Sequence, residues 1–258
     1  MNDKYKKQIN YLDTIDSTNT YVIDNFKKLD GNSMTVARNQ TSGKGQKNKE
    51  WISPSGGIYA TYLIKSNNIK IDDTRYYSFV GCVTTLAIIK KYLNEIKNIW
   101  IKWPNDIYYI DKKISGVLCE TIIENNIIVG MTIGIGINVN TDYNLIKDIN
   151  GTSMTTIKKC NFDIKKIIDD LYEYIYFYCN DITTEKKEKV MEIWKNEHLF
   201  LIGKNINIMD ENNIKKSIKI ISVMENGGLL IKDKDNKTSK IYVDNLRLLD
   251  VLKYKNNR

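Results

Sequence analysis

KWPNDIYYIDKKISG, residues 102–116, decides how this chain is read. It gathers a tryptophan, one of two prolines, an adjacent carboxamide and carboxylate, three lysines and a glycine. The apolar run 99–103 stops at Pro104, which has no backbone N–H to give and cannot sit inside a central ladder. Asn105 and Asp106 therefore fall in a turn. Beyond them, 107–110 and 114–121 read as two strands. The polar tip Asp111-Lys112-Lys113 joins them into a hairpin that hangs charged groups beside a site. Something anionic is expected there.

Outward from this hairpin the pattern is mixed α+β and free of repeats. Strands are expected at 8–15, 34–38, 58–64 and 127–139, with 122–123 continuing the hairpin, giving a largely antiparallel sheet. Asp16-Ser17-Thr18-Asn19 is a run of cap-forming residues ahead of a helix at 21–29. A longer helix at 74–96 carries Tyr77, Val80, Gly81, Thr84 and Ile88 on one stripe. Further helices are expected at 164–179 and 185–194. Near Phe200 the character changes to short alternating segments at 205–209, 216–224, 229–232 and 239–243, separated by Asn-, Asp- and Gly-rich turns. That pattern predicts a small all-β barrel and a division into residues 1–199 and 200–258.

At 258 residues, 42% of them hydrophobic, the chain can bury one sizeable core and a small second one. No run approaches the roughly eighteen apolar residues of a membrane span, and residues 1–10 lack a signal peptide's apolar segment. A cytoplasmic location follows by elimination. The net charge of +8, from 39 Lys and Arg against 31 Asp and Glu, is scattered, which reads as solvated surface and not as a nucleic-acid face. Cys82, Cys119, Cys160 and Cys179 show no CxxC pairing and are expected as buried reduced thiols, with no metal held by protein ligands. His198, the single histidine, lies far from every motif, which excludes a histidine triad or an HExxH zinc site.

TSGKGQKNKEW, residues 41–51, lacks any GK[ST] at Walker A spacing, and Asn48 stands where a dinucleotide fingerprint needs its third glycine. It is either a flexible surface loop or a cradle whose glycines expose N–H groups and whose lysines neutralise an anion. Ser17, Thr18 and Asn19 cap a helix, and their polar groups could equally read a small polar ring. Gly134 and Gly136 mark close approach of a ligand or of the packed helix. Asn138 is a carboxamide among apolar neighbours. Trp51 could be core, or could stack on a base.

Four segments, IDSTNTY at 15–21, QTSGKGQKNKEWISPSGGIY at 40–59, KWPNDIYYIDKKISGVLCE at 102–120 and GIGINVN at 134–140, resemble in their order the signature of biotin protein ligases. The resemblance runs from about residue 11 to the end and starts too near Met1 to leave room for the N-terminal DNA-binding domain of many relatives. A monofunctional biotin–[acetyl-CoA-carboxylase] ligase is implied. So is a class II synthetase-like catalytic domain with a mixed or antiparallel sheet, followed by a small SH3-like β-barrel. The implied substrates are biotin and ATP, with Mg²⁺ held through the triphosphate, and the implied partner is a biotin carboxyl carrier domain. An apolar edge strand would support a homodimer as an alternative to a monomer.

The resemblance also assigns roles. Lys113 would bridge the biotinyl carboxyl and the phosphate, and Asp106 would orient the incoming lysine or help to accept its proton. Biotin would be held by Ser17, Thr18, Asn19, Gln40, Gly43, Lys44, Gly45, Gln46, Lys113 and Gly116. The adenylate would be held by Lys44, Lys49, Trp51, Lys102, Asn105, Gly134, Gly136 and Asn138. One departure stands out: where the family shows GRGR and a further arginine, this chain has Lys44, Gln46 and Lys49, losing planar bidentate forks and one charge. A lipoate or octanoyl ligase of the same fold and a noncatalytic biotin-binding module are the rival readings.

Overall fold

A seven-stranded sheet forms the frame of the protein in the computed structural model, which describes residues 7–210, 214–242 and 246–249. The strands are β1 (Ile9–Ile15), β2 (Ser33–Gln40), β3 (Ile58–Lys65), β4 (Ile99–Lys102), β5 (Asp106–Tyr109), β6 (Lys112–Glu124) and β7 (Ile127–Ile137). Their order is β1-β2-β3-β7-β6-β5-β4, parallel between β1 and β2 and antiparallel elsewhere. A second, antiparallel sheet has the order β11-β10-β9-β8-β12. Its strands are β8 (Asn205–Asp210), β9 (Lys215–Val223), β10 (Leu229–Lys232), β11 (Thr238–Ile241) and β12 (Leu246–Leu248). The expected strand end at Val243 lies outside the described residues.

Strand alternation puts two chemistries on the two faces of the large sheet. On β7, Met131, Ile133, Ile135 and Ile137 join the main core, while Gly130, Thr132, Gly134 and Gly136 point the other way. The long helix α2 (Thr74–Tyr92) covers the apolar face, with α4 (Ile164–Cys179) and α5 (Thr184–Asn196) packed behind it. Tyr76, Phe79, Cys82, Val83, Leu86 and Ile89 are therefore as buried as the expected stripe, because the helix is sandwiched and has no solvent side along most of its length. Gly81 is the point of closest approach: a Cβ there would stand 2.6 Å from Val117 Cγ1 and 2.9 Å from Ile133 Cγ2.

The opposite face carries α1 (Thr18–Asp24), whose Val22 packs with Leu63 and Ile122 in a small separate cluster. This helix starts earlier and ends sooner than the 21–29 expected. Ser17 is its N-cap, and Asn25 ends it by turning its carboxamide back to Tyr21 O at 2.9 Å. A further short helix, α3 (Met154–Lys158), had no periodic signal of its own, being capped by Ser153 and only five residues long. The edge strand β1 exposes Asn10, Tyr11, Asp13 and Thr14, whereas the other edge, β4, carries the apolar run Ile99-Trp100-Ile101. Among the thiols, Cys82 and Cys179 are buried, but Cys119 is only half-buried and Cys160 is exposed at the end of α3, against the expectation that all four are interior.

Candidate functional site

A cleft of about 340 Å³ opens on the glycine face, between α1, the 40s loop and the β4–β6 turn. The expected tip lysine, Lys113, is not at the tip but inside β6. Its N–H donates to Asn150 O at 2.9 Å and its carbonyl accepts from Thr152 N at 2.9 Å, so its backbone is held from outside the hairpin. A register shift between Ile107 and Tyr108 lets the side chain fall on the cleft side. There its Nζ lies 2.7 Å from Asp106 Oδ1 and 4.9 Å from the centre of the Trp51 ring.

The KWPN turn is fastened on several sides. The Trp103–Pro104 peptide is cis. Asn105 donates through Nδ2 to Val117 O, while Val117 N donates to Asn105 O at 3.0 Å. Trp194 Nε1 donates to Pro104 O at 3.2 Å. Asn105 thus lines the cleft but spends its carboxamide on the scaffold. Lys102 lies over the Tyr108 ring at 4.8 Å, a cation held against an aromatic face beside the cleft.

The floor explains the glycines. At Gly136 a Cβ would stand 2.5 Å from the Trp51 indole, at Gly116 3.1 Å from Trp51 and 3.2 Å from Lys113, and at Gly134 2.1 Å from Asn19 Oδ1. Gly134 and Gly136 therefore admit side chains on the cleft side, whereas close helix packing on the far face is the work of Gly81. Trp51 lies against this floor with a buried Nε1 that has no hydrogen-bond partner.

At the deep end, Gln40 clamps the start of α1: its Oε1 accepts from Thr18 N at 2.8 Å and Thr18 Oγ1 at 3.1 Å, and its Nε2 donates to Ser53 Oγ at 2.8 Å. Ser17, Thr18 and Asn19 are buried and line the cleft. Along the mouth, Lys44, Gly45, Gln46 and Lys49 line it from the loop, with Gln46 in a single 3-10 turn (Gln46–Asn48). A second cavity of about 740 Å³ shares this loop and is also bordered by Leu118, Cys119 and Glu120.

Two expected residues do not line the cleft. Gly43 borders the second cavity, where Trp51 O would be 2.4 Å from an added Cβ. Asn138 follows the end of β7 under the sheet: its N–H donates to Ile114 O and its carbonyl accepts from Met154 N, both at 2.9 Å, and it is 4% exposed. Sequence reasoning in turn missed Tyr59, Tyr108, Leu118, Ile149 and Leu248, all of which line the cleft. Burial pushes the Cys82 thiol up and the Cys119 thiol up to about 12, so neither is poised as a nucleophile.

Residues 11–138 match the model of the Biotin/lipoate A/B protein ligase family. The chain is 30% identical over 129 residues to the bifunctional ligase/repressor BirA of Salmonella typhimurium, across 50% of this chain and 39% of that protein. It thus spans less than half the length of that relative. With the bifunctional ligase/repressor BirA of Bacillus subtilis it is 27% identical over 244 residues, across 92% of this chain and 73% of that one. Among solved structures, a biotin protein ligase from Aquifex aeolicus in complex with biotin and ATP superposes with a TM-score of 0.77 at 24% identity, covering 95% of this chain and 99% of that chain. This last likeness is one of fold.

Proposed function

We propose, from the match of residues 11–138 to the biotin/lipoate A/B protein ligase family, that the chain activates biotin with ATP and transfers it to a protein lysine. The biotin carboxylate attacks the α-phosphorus of ATP, giving biotinyl-5′-AMP and pyrophosphate. The ε-amine of an acceptor lysine on a carboxyl carrier domain then attacks the acyl carbon, loses its proton and releases AMP. The observation that carries this reading is Lys113: an ammonium fixed by backbone on both sides, above a floor with no Cβ atoms, beside a carboxylate.

The first step brings two anions together and the second expels AMP as an anion, so the work is positioning and charge stabilisation without a covalent enzyme intermediate. Lys113 Nζ sits where it can exchange its Asp106 partner for the substrate carboxylate and the α-phosphate. Asp106, once released, is the acceptor that orients the arriving amine. Trp51 offers its face to the adenine. Lys44 and Lys49 on the loop, together with Lys102, supply cations to the phosphates. Mg²⁺ arrives with the triphosphate, held by its oxygens and water.

We assign the catalysis to residues 1–199 and a supporting role to 200–258. No helix among the described residues is long and apolar enough to cross a membrane. The protein, incubated with biotin, ATP and a carrier domain, should add the mass of one biotinyl group to the carrier lysine. No mass gain, or a gain only with lipoate, overturns the proposal.

A further inference from the structure

On the cleft face of the large sheet two lysines each stand opposite one partner and lean to another. In the ladder Lys102 on β4 faces Asp106 on β5, and Lys113 on β6 faces Tyr108 on β5. Directly opposed side chains of antiparallel strands are the ones that ordinarily interact. Here the partners are exchanged along the diagonals. Lys113 Nζ lies 2.7 Å from Asp106 Oδ1, while Lys102 Nζ donates to Tyr108 Oη at 3.4 Å and lies 4.8 Å from the centre of its ring. Lys102 therefore rests on the tyrosine and not on the carboxylate it faces. Tyr108 can hold it because its own place is fixed. It is 7% exposed, and its ring packs 5.9 Å from that of Trp100, which is 1% exposed and donates from Nε1 to Ile110 O at 3.0 Å.

We infer that Tyr108 is a positioning residue: by holding Lys102 it keeps the Asp106 carboxylate for Lys113 and then for the acceptor amine. The inference rests on the proposed function, in which Asp106 orients that amine once substrate has drawn Lys113 away. Without the tyrosine, a carboxylate released by one lysine would be taken at once by the other, which stands opposite it in register. The arriving amine would then have to displace a cation. An ammonium held on an aromatic face and an exposed ion pair are of similar strength, so the ring and its hydroxyl decide which of the two forms. Tyr108→Phe retains the face and loses the hydroxyl; Tyr108→Leu loses both.

Transfer to a carrier lysine from biotinyl-AMP supplied ready-made isolates the second step from the first. Under single turnover Tyr108→Leu should slow it about fivefold, the largest change that one exposed ion pair ordinarily makes. Tyr108→Phe should stay within about twofold of wild type, because the aromatic face remains. The decisive variant combines Tyr108→Leu with Lys102→Met. Its transfer rate should equal that of Lys102→Met alone, since that background has no lysine to release. A Tyr108→Leu rate equal to wild type, or a loss that persists in full in the Lys102→Met background, overturns the role; persistence is what a packing defect alone would give. Tyr108→Met, which fills more of the ring's volume, runs the same cycle where Tyr108→Leu does not fold. A wild-type protein that transfers nothing from biotinyl-AMP overturns the reading of the cleft, whereas a wild type that transfers while the cycle fails overturns only the part given to Tyr108.

Discussion

Lys113 does its work through where its backbone is tied. Pairing with residues 150–152 on one side and β5 on the other fixes its Cα, so the only freedom left is in a side chain that reaches Asp106 at 2.7 Å. Lys113→Ala should abolish pyrophosphate release while leaving Tm within about 4 °C, since a partly exposed ion pair of this kind contributes about 1 kcal/mol to folding. Near-normal pyrophosphate release would remove Lys113 from its role. Gln46, half-buried at the cleft mouth, gives the opposite test. Gln46→Arg restores a planar, permanently charged fork beside the adenylate phosphate and should tighten biotinyl-AMP severalfold in calorimetry; unchanged or weaker binding would count against it. Residues such as Lys113 and Asp106 were legible because they sit seven positions apart in one hairpin motif. Leu248 was not, because its place in the cleft comes from the second sheet, which no local spacing encodes.

At the scale of elements, sequence patterning recovered α4 to the residue (Ile164–Cys179), because its buried positions recur every three or four residues and its ends are marked by the Asp163 cap and Asn180. It also placed α2 from its first residue, but the stripe it named was only part of the buried surface, because periodicity vanishes once a helix is covered on nearly every side. The expected stripe nevertheless contained Gly81, the residue that sets the helix-to-sheet distance. Gly81→Ala pits a gain of about 1 kcal/mol in helix propensity against overpacking that costs about 1–3 kcal/mol. The methyl would meet Val117 and Ile133, both buried and held by β6 and β7, so the cost should win. Tm should fall by several degrees, with activity reduced in parallel because Val117 also anchors Asn105. A stabilised variant would show that the helix rides up without penalty.

In the whole molecule, the second sheet reaches the cleft of the first. Leu248 lines the cleft directly, and Trp103 Nε1 donates to Gly227 O at 3.0 Å in a buried bond, tying the KWPN turn to the β9–β10 turn. Arg75 adds a hydrogen bond to Asn226 O at 3.1 Å and lies 4.5 Å over the Tyr242 ring. Gly227 is required twice at this junction: its φ of +81° suits glycine, and a Cβ would stand 2.6 Å from the Phe79 ring. Gly227→Ala should therefore loosen the second sheet from the turn that carries Asn105 and Asp106, at a cost of about 1–2 kcal/mol from the left-handed backbone alone. The expected result is faster proteolytic cleavage between residues 199 and 205 and a raised KM for ATP, while the large sheet keeps its own melting transition. Wild-type ATP affinity in a variant whose second sheet is cleaved more readily would separate that sheet from the chemistry and confine the catalytic machinery to the first.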